Sequence, residues 1–133
     1  MKLLEALRYR WAADAALTTL LAVDRVSTGP ADEASIPYAV ITRQTQRPVV
    51  QHNDAAAIES VRTRIDMFHD NYDSGWAIAQ QIKRTYDRTQ FDIANNDRVI
   101  DMRRADESDD RDDDGIWRFT IDFDITVYLE NGS

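Results

Sequence analysis

The sequence contains no cysteine, and this absence excludes several kinds of chemistry at once. Disulfides, thiolate zinc sites and cysteine nucleophiles all require the missing side chain. The two histidines, His52 and His69, lack the short spacing of a zinc-binding pair. Four glycines leave little material for a glycine-rich phosphate loop, and no such pattern is present. We therefore expect no cofactor and no metal.

Long apolar runs are also missing. No stretch of about 18 apolar residues is present, so we expect no membrane span. The opening residues 1–11 mix charged and apolar side chains, whereas a signal peptide has a basic cap followed by an apolar block. We expect synthesis inside the cell. A length of 133 residues with 43% hydrophobic residues predicts one globular domain over residues 1–133.

Positively charged residues are fewer than negatively charged ones, and most of the net negative charge lies in one short segment. Residues 106–114 hold seven acids and one arginine, or −6 of the net charge of −8, which leaves −2 for the rest of the chain. Nucleic-acid backbones require clustered lysine and arginine. We therefore expect no specific nucleic-acid binding.

Hydrophobic periodicity predicts an α+β fold: a mainly antiparallel sheet of four to five strands with two main helices on one face. The helical N-terminus covers 1–22, with a kink at Asp14, which is a candidate N-cap for a second short helix. The sheet covers 36–129 and includes a helix at 74–88. The predicted strands are 36–43, 59–68, about 99–105 and 116–129, joined by an exposed loop at 27–35 and a polar segment at 44–57 in which only 49–51 is a candidate strand.

The last strand has the clearest pattern. Apolar and polar side chains alternate from Trp117 to Leu129, which predicts one buried face and one polar face. The strand at 59–68 alternates in the same way. The polar face of the sheet is thus either exposed to solvent or packed against a partner.

The acidic run resembles the start of a calcium loop. Asp110, Asp112, Asp114 and Gly115 match the first ligand positions of an EF-hand, but Ile121 occupies the twelfth position, where a bidentate glutamate belongs. A strand also replaces the exiting helix. These departures favour a solvated acidic hairpin loop that ends at Gly115, which can supply a positive φ. Looser cation binding stays open as a weak alternative.

Carboxylates on the polar strand faces offer a second possible chemistry. Asp66, Asp122 and Asp124 can become neighbours, but acid–base catalysis needs a cleft that shifts their pKa values, and nothing indicates one. Arginines on the same faces are simple cross-strand partners for these acids, namely Arg62, Arg64 and Arg118. We predict no catalytic residue and no enzyme.

Candidate interface residues follow from exposure and charge. Trp76 lies at the edge of a helical apolar stripe, where a tryptophan can be core or an interface anchor. The candidates are Trp76, Arg62, Arg64, Asp109, Asp110, Asp112, Asp113 and Asp114.

The order of these segments resembles a known family. It includes A-D-A-A-L-T-T-L-L-A at 13–22, I-P-Y-A-V-I at 36–41, V-R-T-R-I-D-M-F at 61–68 and G-I-W-R-F-T-I-D-F-D-I at 115–125. Together they are similar to the tail-completion proteins of long-tailed bacteriophages and prophages, a class that includes tail terminators and tail-to-head joining proteins and is often described as of unknown function. The resemblance covers about residues 3–129. The denser acidic run and the longer 44–57 segment depart from the usual pattern.

The resemblance implies an assembly role. Such proteins form a ring, commonly a hexamer, at the head-proximal end of the tail tube, where the ring stops polymerisation and docks to the head. The expected partners are further copies of the chain, the tail tube protein and head–tail connector proteins. The expected location is the host cytoplasm during assembly and then the virion tail.

Two other interpretations stay open. One is a non-enzymatic protein-binding module, or a prophage remnant of the same fold that no longer assembles. The other is a carboxylate-dependent enzyme or cation binder. Within the assembly interpretation, an acidic run lining the ring would repel passing DNA within roughly a Debye length, ~8–10 Å.

Overall fold

The computed structural model describes residues 2–29, 35–51 and 56–130. The helices are α1 (Leu3–Ala13), α2 (Ala15–Leu20) and α3 (Tyr72–Tyr86). The strands are β1 (Val26–Ser27), β2 (Tyr38–Gln51), β3 (Ala57–His69), β4 (Phe91–Asp92), β5 (Arg98–Arg111) and β6 (Trp117–Leu129). His52 and residues 30–34 of the predicted loop lie outside the described residues. No helix in the described ranges is long and apolar enough to cross a membrane.

All six strands join one sheet in the order β1-β2-β3-β6-β5-β4. Every neighbouring pair is antiparallel except β1 and β2, which run parallel. The mixed helix-and-sheet prediction is confirmed in its main features, but the predicted count of four to five strands is too low. The short strands β1 and β4 have two residues each, and two residues cannot display an alternating pattern.

The N-terminal helices form as the sequence predicts. Leu3, Leu7 and Trp11 repeat at a spacing of four and are all buried. Asp14 has extended backbone angles and its side chain accepts a hydrogen bond from the Leu17 amide, so it ends α1 and caps α2. Because a carboxylate at this position satisfies an otherwise unpaired amide, the kink is built into the sequence.

Helix α3 begins two residues earlier than predicted. Asn71 is its N-cap, and the Asn71 side chain accepts from the Ser74 amide at 2.9 Å. The helix lies close against β6: a methyl group on Gly75 would overlap the Phe119 ring. Glycine is therefore the residue that allows this approach. The predicted range 74–88 is shifted because several residues before the helix can serve as its N-cap, and the sequence alone does not show which of them does.

The helices cover one face of the sheet, called here the helix face. Phe119, Ile121, Phe123 and Ile125 of β6 point towards the helices and join a single core with Leu7 and other buried residues. Two polar groups in this core have partners: the Trp11 indole donates to the Leu21 carbonyl, and the Tyr86 hydroxyl donates to the Leu7 carbonyl. Burial raises the pKa of Tyr86, which keeps the phenol a donor.

Two strands are longer than the sequence predicts. Strand β2 continues through the polar segment to Gln51, and β5 continues through most of the acidic run to Arg111. Both predictions ended the strand where apolar alternation stops. Pairing with β3 and β6 extends them beyond that point, because backbone hydrogen bonds do not require apolar side chains. The acidic hairpin loop is consequently only the turn at residues 112–116.

Candidate interaction surface

The face of the sheet opposite the helices carries paired charges and is called here the outer face. Register between β3 and β6 sets Arg62 opposite Asp124 and Arg64 opposite Asp122. The Arg62 Nε–Asp124 Oδ1 distance is 2.6 Å, and the Arg64 Nε–Asp122 Oδ1 distance is 2.8 Å. These pairs form because the two strands alternate with the same period, as the predicted cross-strand partnership requires.

A third pair extends this arrangement along the same strands. Arg118 Nε lies 3.0 Å from Asp66 Oδ1, which also accepts from the Thr120 hydroxyl at 2.7 Å. The three predicted arginine partners are therefore confirmed. Each carboxylate that sequence analysis considered for acid–base chemistry is held by an arginine on the neighbouring strand.

Asp122 lies at the centre of the outer face and is the most enclosed of these acids. Its side chain is 8% exposed and accepts from Arg64 at both Nε and Nη2, at 2.8 and 3.2 Å. The hydrogen bond to Asp122 raises the pKa of Arg64, and the bond to Asp124 raises the pKa of Arg62. Such fixed, ionised groups suit recognition of a charged partner better than proton transfer.

Beside these pairs the outer face has a shallow concavity of about 430 Å³. Its remaining wall comes from β2 and from Ser60, with Arg47 as the only cation contributed by β2. Sequence analysis did not single out Arg47 or its neighbour Arg43. One signal could have found them, because residues 36–51 contain these two arginines and no acid.

Trp76 lies on the opposite side of the sheet from Arg62 and Arg64. It is 50% exposed on α3 and borders a groove of about 270 Å³ whose floor includes Glu107 and Asp109 of β5. The Lys83 Nζ–Glu107 Oε2 distance is 2.9 Å, which ties the helix to the strand. Trp76 is thus an exposed aromatic residue beside an acidic strand, and its role as an interface anchor stays a prediction.

Tyr72 connects this surface to the start of β6. Its ring packs edge-on against Trp117 with centroids 4.7 Å apart, and its hydroxyl donates to Asp109 at 3.3 Å. Desolvation raises the pKa of Tyr72, and the Asp109 charge adds to the effect. The hydroxyl therefore stays protonated as a donor to the acidic strand.

The acidic candidates divide among three places. Asp109 lies on the helix face of β5 opposite Phe119, and Asp110 lies on the outer face opposite Arg118. The remaining candidates, Asp112, Asp113 and Asp114, form the turn that follows. The sequence grouped these acids, but the fold separates them, because alternate residues of a strand point to opposite faces.

The turn uses Asp112 for its own backbone. The Asp112 carboxylate accepts from the Asp114 and Ile116 amides, each at 2.9 Å, and Gly115 has a φ of +82°. Among the residues that the structure describes, no group of three or more His, Cys, Asp or Glu side chains is placed to hold a metal ion. His69 accepts from the Asn71 amide at 3.0 Å, so it too serves a local turn.

Comparison with known proteins finds similarity to a family model and to solved structures. The family model described as Tail completion protein gp17 matches residues 5–128. A chain in the virion of a native gene transfer agent (GTA) particle is similar in fold, with a TM-score of 0.75, 15% sequence identity and coverage of 96% of this chain and 95% of that one. At that identity the likeness bears on the fold alone. Comparison with curated proteins gave no match.

Proposed function

The chain belongs to the Tail completion protein gp17 family, and from this premise we propose that it completes the tail tube and helps to join the tail to the head. Family membership makes it a structural protein of phage tails, as the resemblance predicted. The proposal adds that it acts as a ring, with six copies as the expected number, and that its partners are the tail tube protein and the head–tail connector proteins.

The observation that carries this proposal is the extent of the family match. It runs from within α1 to within β6 and so includes nearly all of the sheet and of the three helices. The role is therefore assigned to the complete domain, not to a small motif placed on an unrelated fold.

The described surface supports a structural role without catalysis. The carboxylates of the outer face are held in ion pairs, and the one exposed tryptophan among the described residues stands beside a row of acids. Fixed charges on one face and an exposed aromatic side chain beside acids on the other are both features that protein–protein contacts use for specificity. We propose that the chain is not an enzyme and uses no cofactor.

The location proposed for the chain follows the assembly pathway. It would be made in the host cytoplasm, added to a finished tube and retained in the virion tail. If the outer face of β5 turns towards the ring interior, Asp106 and Asp110 would give the lumen a negative charge that repels passing DNA.

The test is removal of the gene from the phage or prophage that encodes it, followed by electron microscopy of the particles. We expect filled heads and unattached tails whose lengths vary, and rescue by the wild-type gene supplied separately. Particles with attached tails of uniform length in the absence of the gene would contradict the proposal. A Tyr9→Ser gene serves as the control for rescue, because Tyr9 is 78% exposed on α1 and lines neither the outer-face concavity nor the groove beside Trp76.

A further inference from the structure

The second strand from each end of the sheet, β2 or β5, is long, and most of its outer edge is not covered by the short end strand. Strand β1 pairs only with Ala39 and Val40 of β2, and β4 pairs only with Arg98 and Val99 of β5. The Arg88 amide and the Asp87 carboxylate extend the cover of β5 as far as Arg104. Within the described residues, 41–51 of β2 and 105–111 of β5 therefore have no strand on their outer side.

The two open edges carry opposite charge. Residues 41–51 contain two arginines and no acid, for a net charge of +2. Residues 105–111 contain four acids and one arginine, for a net charge of −3, and all seven are exposed. Exposed edges of this length invite pairing with another chain unless charge or proline prevents it. Here the charge selects which edge can pair.

The charges match most clearly on the outer face of the sheet. On the outer face, Arg47 lies opposite Ser60 within its own chain, and the acids of β5 on that face are Asp106 and Asp110. Arg43 lies opposite Thr63, which is paired with Phe123 and therefore faces the helices, and the helix-face acids of β5 are Glu107 and Asp109. If the edges meet, the outer face places Arg47 near two acids. On the helix face the charges are more nearly balanced, because Arg111 lies there too and Glu107 already pairs with Lys83 and Arg104.

Like edges repel one another. Contact between two β5 edges would bring together two segments of net charge −3, and contact between two β2 edges would bring together two segments of net charge +2. A β5 edge and a β2 edge attract each other instead. A contact between two different patches is heterologous, and copies joined in this way form a closed ring or an open filament. The charge pattern therefore disfavours two-fold dimers through either edge and favours a ring.

Strand direction is compatible with such a contact. Strands β2, β3, β6 and β5 alternate in direction, so β5 runs opposite to β2. Rotation about an axis roughly along the strands preserves each strand's direction, so β5 of one copy would meet β2 of the next in antiparallel orientation. Antiparallel pairing of this kind adds backbone hydrogen bonds across the joint.

A tryptophan and a groove flank the two edges on the helix face. Trp76 stands beside Glu107 and Asp109 at the β5 edge. At the β2 edge, Arg43 and Thr42 border a groove of about 500 Å³ with the first turn of α1. Joining the edges would place Trp76 near this groove, so one apolar anchor would accompany the paired charges.

We propose that neighbouring copies of this chain join edge to edge, with residues 105–111 of β5 pairing with residues 41–47 of β2 in the next copy. Pro48 lacks an amide proton and marks the end of the pairing segment. This inference rests on the proposed function for the existence of a ring, and adds which surfaces build it and why the contact is head-to-tail.

The absence of cysteine allows a direct test by cross-linking. Thr45→Cys and Ser108→Cys place one thiol on each edge on the outer face, as judged from their partners Arg62 and Thr120. The two variants are mixed at high concentration and low salt and treated with a short bismaleimide, which tolerates a shift in register. We expect T45C to cross-link to S108C and each variant alone to give little product. Thr19→Cys on α2, mixed with S108C, is the matched control.

Charge reversal then tests whether the opposite charges of the two edges select their pairing. Arg47→Glu in the T45C chain should lower the cross-linking yield by about threefold to tenfold, and Asp106→Lys with Asp110→Lys in the S108C chain should do the same. Mixing the two reversed chains should restore the yield. Intact unfolding transitions of the variants would show that folding is unaffected.

Three results would overturn the edge pairing: no T45C–S108C product at the highest concentration reached, a yield no greater than that of the T19C control, or stronger linking of like edges than unlike edges. A yield that ignores charge reversal would overturn the electrostatic selection. Failure here is separable from failure of the proposed function. If R47E abolishes cross-linking but still rescues tail completion, the edge pairing is wrong and the proposed function stands. If the edges cross-link but gene removal leaves tails intact, the edge pairing stands and the proposed function is wrong.

Discussion

The two faces of β6 differ sharply although they belong to one strand. On the helix face Phe119, Ile121 and Phe123 are at most 4% exposed and pack into the core. On the outer face Arg118, Asp122 and Asp124 pair with charged residues of β3. The alternation of a strand is enough to separate these two environments.

The difference teaches how stability and recognition are divided in this fold. Apolar burial on the helix face contributes roughly 25 cal/mol for each Å² removed from water. Ion pairs that remain partly exposed contribute much less, with a typical range near 0–1 kcal/mol. Substitutions on the helix face should therefore change folding, and substitutions on the outer face and the edges should change association.

The largest effect is expected in the core. Phe123 is 0% exposed and its ring contacts Tyr86 with centroids 6.1 Å apart. Phe123→Ala should lower the free energy of unfolding by about 3–5 kcal/mol, because it removes buried area and leaves a cavity. Urea unfolding followed by circular dichroism measures this loss. Thr126→Ala on the outer face is the control, with an expected change within about 0.5 kcal/mol; similar losses for both would contradict the comparison.

An intermediate effect is expected for the central ion pair. Arg64→Ala leaves Asp122 with only Arg62 Nη1 at 3.9 Å, and Asp122 is 8% exposed. Because Arg64 itself is 35% exposed, solvent reduces the cost, and we expect a loss of about 1–2 kcal/mol. A double-mutant cycle with Asp122→Ala isolates the coupling. The exposed pair Arg103–Asp101 should show a coupling below about 0.5 kcal/mol, and equal couplings would show that burial does not matter here.

Removing the cap with Asp14→Ala should lower the free energy of unfolding by about 1 kcal/mol, and this loss should depend on pH. The amide hydrogen bond from Leu17 lowers the pKa of Asp14 below the ordinary value of an aspartate. A lowered folded-state pKa means that the stabilisation is present above pH 3.8 and is lost as pH falls through the folded value. The gap between wild type and Asp14→Ala should therefore shrink between pH 7 and pH 2.5. An unchanged gap would remove the ionised cap as its cause; exposed Asp24→Ala is the control.

The smallest effect on folding is expected at Trp76. It is half-exposed, so Trp76→Ser should change the free energy of unfolding by about 0.5 kcal/mol or less. If Trp76 anchors a contact between copies, the same variant should weaken association measured by sedimentation velocity. A large loss of stability with unchanged association would place Trp76 with the core and not with the interaction surface. Tyr9→Ser is a matched exposed aromatic substitution.

Much of the fold could be predicted because local patterns are strong in three places. The helical N-terminus, the cap at Asp14 and the alternation of β6 each appear in the structure as the sequence indicates. The cross-strand partners of Arg62 and Arg64 also follow from alternation, once the two strands are adjacent.

The extents of β2 and β5 could not be predicted in the same way. Their far halves are exposed and polar, so they carry no apolar period, and they are strands because each has a partner on one side. The prediction of the candidate site failed for the same reason, because it did not include the far half of β5 as a strand. Asp109 and Asp110 look like neighbours in a loop, but as strand residues they face opposite sides of the sheet.

By itself the sequence determined the helix-and-sheet class, the buried face of β6 and the kink at Asp14, because each depends on residues close together in the chain. It also determined the family resemblance, which depends on the order of such local segments. The tertiary structure alone decided which strands lie at the edges. The sheet order places an arginine-bearing strand near one margin and the acidic strand near the other. That opposition arises from contacts between distant segments, and no local pattern in the sequence records it.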